Sequence, residues 1–503
     1  MHLQKLMLMN AEKPIKLNKD RLEVIIGLQC FIIVALIIFR LVYQPLFFRQ
    51  ESLIYTFCCV LCVTTFWYFW SWHLVTKSLF NPYPIFLLSA FLFNGGKAFL
   101  EVFHINEDVM ENWQLASDLL PLASETVIDT LFLIIIGLSG LHLGALISLA
   151  KLKVKSYKSD SNNSLFILNN KKSRIVGWRL ICVSILPAIV VIGNTMSIVL
   201  SSGYTALYQV DSATSYSAGP AIIADFLIPG SFFLLAGSKD NRKHQLTSLF
   251  IVCFYTGIRF ILGQRNQAVM PLISFAWLWH KLIKPIPKTF LLSIGSLMLL
   301  ILPLVSAMRN TVGEDRFSIS FLQETFSSIN NPVVTSISEM GGSMLTVGYI
   351  LELVPSQKEF QAGADYFYAL LTLIPNFFGK LHPTIARGLP EHWMTEQINP
   401  HFHNAGGSYG FSFIAEAYLN FGWIGAPIAL GVIGFLFTKL VLWAVTSSED
   451  PAKMAMVASF LSVFLFYPRA ESALIVRGLV WYSLIPYLWV HLIKSSSSKA
   501  MKK

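Results

Sequence analysis

Charge is what this sequence has least of. Only 13% of its 503 residues are Asp, Glu, Lys or Arg, against roughly 25% in a soluble globular chain. A deficit of that size excludes an ordinary water-soluble fold. Nucleotide signatures are missing too: there is no P-loop, no dinucleotide glycine fingerprint and no serine nucleophile elbow. Nothing therefore points to ATP or to a nucleotide-sugar donor. Cysteine is scarce, and Cys30, Cys58, Cys59, Cys62, Cys182 and Cys253 all fall in apolar stretches. They are not a disulfide framework for an exported loop, and Cys58, Cys59 and Cys62 read as small buried hydrophobes. No His or carboxylate shares the span of Cys58, Cys59 and Cys62, so no metal site is expected there. A cleavable signal is lacking as well. Met1–Asp20 is polar and basic with no small-residue cleavage site after an apolar core, so the first span is expected to serve as an uncleaved anchor.

What the chain does have is apolar length. Hydrophobic residues make up 54% of it and come in blocks. Thr130–Ala150, Thr289–Met308 and Ile424–Ala444 each exceed the roughly 18 apolar residues that mark a membrane span. The fold class expected is all-α, a polytopic transmembrane helix bundle of about 12 spans. Their limits are 22–39, 52–72, 84–103, 126–150, 175–200, 220–237, 246–262, 267–280, 289–307, 411–444, 453–467 and 478–493, the tenth breaking at Gly422. Residues 1–308 hold spans one to nine, 309–410 form a long outer loop, and 411–503 hold the last three spans and a tail.

The net charge of +10 sits in the short connections between spans, which reads as the positive-inside rule and not as a nucleic-acid surface. With the N-terminus inside, 22 of 25 lysines fall on the cytoplasmic side, all but Lys97, Lys358 and Lys380. Both termini are then cytoplasmic. The outer segment from Arg309 to Gly410 is not plainly hydrophilic: Tyr366–Phe378 is mostly apolar yet too short to span, so short or re-entrant helices are expected. Gly341-Gly342, Pro383, Pro390, Pro400 and Gly406-Gly407 mark the segment as loop-rich. Long structured loops of this kind are more often functional than idle.

Arginine does not follow lysine. Nine of the 13 arginines fall on the outer side by this topology: Arg40, Arg49, Arg259, Arg265, Arg309, Arg316, Arg387, Arg469 and Arg477. The topology rule treats Arg and Lys alike, so the split needs another cause. Arginine is the residue for bidentate recognition of phosphate. Arg259, Arg265, Arg309 and Arg469 are the candidates for binding a lipid-linked diphosphate. Arg40 and Arg49 are expected to reach headgroups or to pair with acids such as Glu101, Glu107 and Glu111.

A second constellation is His401-Phe402-His403-Asn404, followed by the tenth span. If Ser408–Phe421 is helical, Ser408, Ser412, Glu416 and Asn420 recur every four residues as one polar stripe. Glu416 then either accepts a proton or pairs with an arginine. His401 and His403 lie just ahead of it, and neutral His is a suitable base toward a sugar hydroxyl. His-x-His lacks a third ligand at metal spacing, so no metal is expected. Tyr204 and Tyr208, in the outer loop after the fifth span, can stack on sugar rings.

Several of these segments resemble one family. Glu416-Ala417-Tyr418-Leu419-Asn420-Phe421-Gly422 looks like the Glu-x-Tyr-x-Asn-x-Gly signature of Wzy-type oligosaccharide repeat-unit polymerases. Gly263-Gln264-Arg265 looks like their Gly-x-Arg turn, and Ser202–Tyr208 resembles their outer Gly-Tyr-x-x-Leu-Tyr segment. His403-Asn404 ahead of Glu416 is similar to the His-Asn pair of the related O-antigen ligases. The resemblance implies an inverting, metal-independent glycosyl transfer with no cofactor, on the outer face of a bacterial inner membrane. It implies undecaprenyl-diphosphate-linked oligosaccharide as both donor and acceptor. Arg259, Arg265, Arg309 and Arg469 would hold the diphosphate. His403 or Glu416 would be the base, and Tyr204, Tyr208, His401, Asn404 and Asn420 would contact the glycan. A flippase and a chain-length-regulating co-polymerase are the partners implied, besides membrane lipid. A ligase-type glycan transferase and a lipid-linked oligosaccharide flippase remain the alternatives.

Overall fold

The computed structural model describes residues 19–42, 50–105, 113–114, 119, 121–152, 163–204, 206–209, 218–311, 318–329, 331–376, 381–446 and 450–493. Arg49, Glu107, Glu111 and Arg316 lie outside the described residues, as does the side chain of Tyr208. Among the described residues there are helices and turns but no strand. Hydrocarbon demands this, because no water is present to pair backbone N–H and C=O, and a helix pairs them within itself.

Ten helices among the described residues are long and apolar enough to cross a membrane. The first five are α1 (Lys19–Val42), α2 (Gln50–Thr76), α3 (Pro82–Val102), α4 (Ser124–Ala150) and α5 (Asn163–Ser202); α6 (Leu227–Ala236) completes the span Gly219–Ala236. α7 (Arg242–Ile261) and α8 (Arg265–Leu282) occupy the seventh and eighth expected places, are less apolar, and are not among the ten. α9 (Lys288–Asn310) follows. The set of about 12 is thus ten strongly apolar helices plus these two.

α4 is the centre of the bundle: 89% of its apolar stretch is buried, against 11% for Lys288–Arg309, which faces outward along most of its length. Its main partner is α17 (Phe413–Val445). Glycines let the two backbones touch, since a methyl at Gly140 or Gly144 would overlap the carbonyls of Pro427 or Gly431. α17 breaks at Gly422, as its sequence suggests, with φ 63° and ψ −163°, a region essentially reserved for glycine.

The stretch between α9 and α17 is more helical than its glycines and prolines suggest. It folds as α10 (Ile319–Ser328), α11 (Pro332–Gly341), α12 (Ser343–Leu353), α13 (Ala364–Leu371), α14 (Pro383–Arg387), α15 (Pro390–Ile398) and α16 (Pro400–Asn404). α12 has 11 residues, about half the roughly 20 a span needs. It is nonetheless buried along its length, packed on α4 and α17. Protein thus covers its backbone, while the apolar stretch Tyr366–Phe378 holds most of α13, with residues 377 and 378 outside the described residues.

The chain ends in α18 (Pro451–Phe464), a 3-10 turn at Tyr467–Arg469, α19 (Ser472–Leu479), a π turn at Val480–Leu484, and α20 (Ile485–Leu492). One expectation is corrected. Residues 407–412 are not helical, so Ser408 does not share a helical stripe with Glu416. Gly410 adopts φ 79°. Ser412 is the N-cap, its hydroxyl accepting from the Ile414 N–H, and that starts the helix one residue later.

Candidate active site

Two polar clusters meet at the turn between α18 and α19. The first is a cleft lined by Asp365, Tyr368, Thr384, Arg387, Gly388, Leu389, Pro390, Glu416, Glu471 and Ala473. In this conformation its interior has room for about one water. Three buried acids face it from different elements: Asp365 on α13, Glu416 on α17, and Glu471 ahead of α19.

Each acid is held differently. Asp365 pairs with Arg387 at 2.9 Å, and its other oxygen accepts from the Asn420 amide at 3.0 Å. The Asn420 carbonyl accepts in turn from the Gly363 and Asp365 N–H groups at 3.1 and 3.3 Å. Glu416 accepts from the Ser472 N–H at 2.9 Å with one oxygen. Its other oxygen accepts from the Ser472 hydroxyl at 2.8 Å and the Tyr467 hydroxyl at 3.2 Å. Glu471 is fully buried, and its Oε2 accepts from the Glu391 N–H at 3.0 Å. Burial, together with the charges of Glu391 and Glu416, pushes the Glu471 carboxyl well above the usual carboxylate range. Nearby Lys358 lies 4.3 Å over the Trp393 ring, and burial pulls its pKa down.

These contacts explain the Glu-x-Tyr-x-Asn-x-Gly spacing physically. Glu416 and Asn420 stand one turn apart on α17. One clamps the Tyr467–Ser472 turn, and the other clamps the Gly363–Asp365 end of α13. Gly422 then breaks the helix, so the motif joins two distant segments over one cleft.

The second cluster is cationic. Arg265, at the start of α8, pairs with Glu339 at 2.5 Å. Arg469, half-buried in the 3-10 turn, donates to the Glu339 backbone carbonyl at 3.4 Å and interacts electrostatically with Arg265, Arg309 and Glu391. Arg309 lies 3.9 Å over the Tyr204 ring. Arg259 is buried over the Tyr255 ring at 4.9 Å and donates to the Gln264 side chain. The turn that carries Gln264 and Arg265 needs its glycine: Gly263 has φ 79°, and a Cβ there would stand 3.2 Å from Arg309 Cβ. Asn94 of α3 ties the clusters together. It donates to the Pro468 carbonyl at 3.0 Å and accepts from the Ser412 hydroxyl at 2.6 Å.

Of the residues proposed from sequence, Arg265 and Arg469 meet at Glu339, Arg309 interacts with Arg469, and Arg259 adjoins through Gln264. Glu416 and Asn420 come together at the cleft. His403 is on α16, half-buried, with its ring 5.8 Å from that of His392 and its Nδ1 unpartnered. It does not line the cleft, and His401 and Asn404 are exposed on the same short helix. Arg40 pairs with Asp129 at 2.5 Å and not with Glu101. Sequence reading did not single out Asp365, Arg387, Glu471, Tyr467 or Ser472 for this site. The one usable signal was an acid, Glu471, directly after an arginine-bearing turn between two spans.

No curated protein and no solved structure matches the chain. A family model does, over residues 26–501, nearly the whole length. Its description is O-antigen polysaccharide polymerase Wzy. An all-α bundle of apolar helices with an arginine cluster beside buried carboxyls is therefore the form this family takes here, and the chain belongs to the O-antigen polysaccharide polymerase Wzy family.

Proposed function

We propose that the protein joins oligosaccharide repeat units carried on undecaprenyl diphosphate into a surface polysaccharide. In this reading it acts at the outer face of a bacterial inner membrane, with both termini cytoplasmic, and the lysine distribution supports that orientation. The observation that carries the proposal is the convergence of Arg265, Arg309 and Arg469 beside a carboxyl cleft in a chain of this family.

The chemistry is a single displacement. A hydroxyl at the non-reducing end of the acceptor unit attacks the anomeric carbon of the donor's reducing-end sugar. The bond from that carbon to the diphosphate oxygen breaks, and undecaprenyl diphosphate leaves with the electron pair, inverting the centre. Guanidinium groups aimed at the diphosphate offset the charge that grows on the leaving group, a role a divalent cation fills in other enzymes. Glu339 holds Arg265 until a diphosphate displaces it. His403 and Glu416 are the bases proposed from sequence. Tyr204, Tyr208, His401 and Asn404 are the candidate sugar contacts, and Asn420 contributes through the Asp365 it holds. A flippase that delivers units and a co-polymerase that sets chain length are the partners in this account.

The test is incubation of membranes with a labelled lipid-linked repeat unit. A ladder on the carrier is expected. Transfer of glycan to another anchor would make the protein a ligase, and a change of sidedness alone would make it a transporter.

A further inference from the structure

The two glutamates at the cleft differ in what their oxygens already do. Both oxygens of Glu416 are occupied, by the Ser472 N–H, the Ser472 hydroxyl and the Tyr467 hydroxyl. Glu416 is thus tied through both oxygens to the Tyr467–Ser472 turn. Glu471 has one oxygen engaged by the Glu391 N–H, while its Oε1 has no partner although the side chain is fully buried. A buried polar atom without a partner needs an explanation, and this one belongs to a residue on the wall of the cleft.

The groups that face Glu471 are named by the elements packed around it. Glu391 approaches from α15, Glu416 from α17 and Asp365 from α13. Lys358 interacts with it from the segment after α12, and Arg387 lines the same cleft from α14.

We infer that Glu471 is the catalytic residue that takes the proton from the attacking acceptor hydroxyl, and that Glu416 holds the turn that presents it. The inference rests on the polymerase reading and names the proton acceptor of that site. As the hydroxyl oxygen forms its bond to the anomeric carbon, its proton passes to Glu471 Oε1. The carbon–oxygen bond to the diphosphate breaks, and the electron pair leaves with the diphosphate near Arg265, Arg309 and Arg469. Burial among acids keeps Glu471 protonated beyond the ordinary carboxylate range. The active fraction therefore grows as pH rises through that raised value, and the ionised group is a stronger base than an exposed glutamate.

The experiment measures ladder formation by the full chain in membranes at matched protein level, across pH, for wild type, Glu471→Gln and Glu471→Asp. Gln keeps the shape and the acceptor for the Glu391 N–H, so its melting temperature should stay near wild type. Its rate should fall about 10²–10⁴-fold, the usual contribution of a general base. Asp should retain part of the rate with the acid limb of its pH profile displaced. A wild-type ladder from Glu471→Gln overturns the inference and leaves the polymerase reading standing. So does an undisplaced acid limb in Glu471→Asp, which decides the matter if the Gln variant does not fold. No ladder from wild type overturns both.

Discussion

Asn420 and Asp365 are bonded in both directions: the Asn420 amide donates to Asp365 Oδ2 at 3.0 Å, and the Asn420 carbonyl accepts from the Asp365 N–H at 3.3 Å. A second amide hydrogen goes to the Glu416 carbonyl at 2.8 Å, so the side chain has no donor to spare. Asn420→Ala leaves the buried Asp365 oxygen and the Gly363 N–H unpaired. Each orphaned group costs about 1–3 kcal/mol. The melting temperature in detergent should therefore drop, and ladder formation should fall with it. An unchanged melting temperature would mean that this pair does not fix α13 on α17.

Gly422 carries φ 63° with ψ −163°, where a side chain costs on the order of 1–3 kcal/mol. Gly422→Ala should lower thermal stability by that amount. The new Cβ would only touch the Phe360 ring at 3.4 Å, so the backbone conformation and not crowding sets the cost. The same substitution at Gly295, inside α9 with nothing near its Cβ, is the control and should be neutral or stabilising by up to about 1 kcal/mol.

Stability should depend on pH through Glu471. Its carboxyl holds a proton in the folded state to higher pH than in the unfolded chain. For an acid raised on folding, the contribution is complete below the unfolded pKa and is lost as pH rises through the folded one. Melting temperatures between about pH 5 and about pH 9 should fall toward the alkaline end in wild type, and less steeply in Glu471→Gln. Parallel curves would place the titration elsewhere.

The bundle was readable because spans announce themselves as apolar runs, and the break at Gly422 because glycine interrupts one. The cationic cluster was readable because Arg and Lys part company along the chain. What stayed hidden is tertiary. Asp365 meets Asn420 across 55 positions, and Glu416 meets Ser472 across 56, and no local pattern marks either pairing. The Ser408 stripe failed for a local reason: Gly410 and the Ser412 cap set the start of α17. α7 and α8 kept their places but fall short of the hydropathy of the other ten.

The central claim is that Arg265, Arg309 and Arg469 bind the donor's diphosphate by paired hydrogen bonds. The most direct measurement compares the ladder rate and donor KM of wild type, Arg265→Lys and Arg265→Ala in membranes at equal protein level. Lysine keeps the charge but not the planar fork. The account predicts that both variants lose at least about tenfold in kcat/KM, roughly 1.4 kcal/mol of transition-state binding, at an unchanged melting temperature. Wild-type kinetics from Arg265→Lys would contradict bidentate binding there, and wild-type kinetics from Arg265→Ala would remove Arg265 from the site.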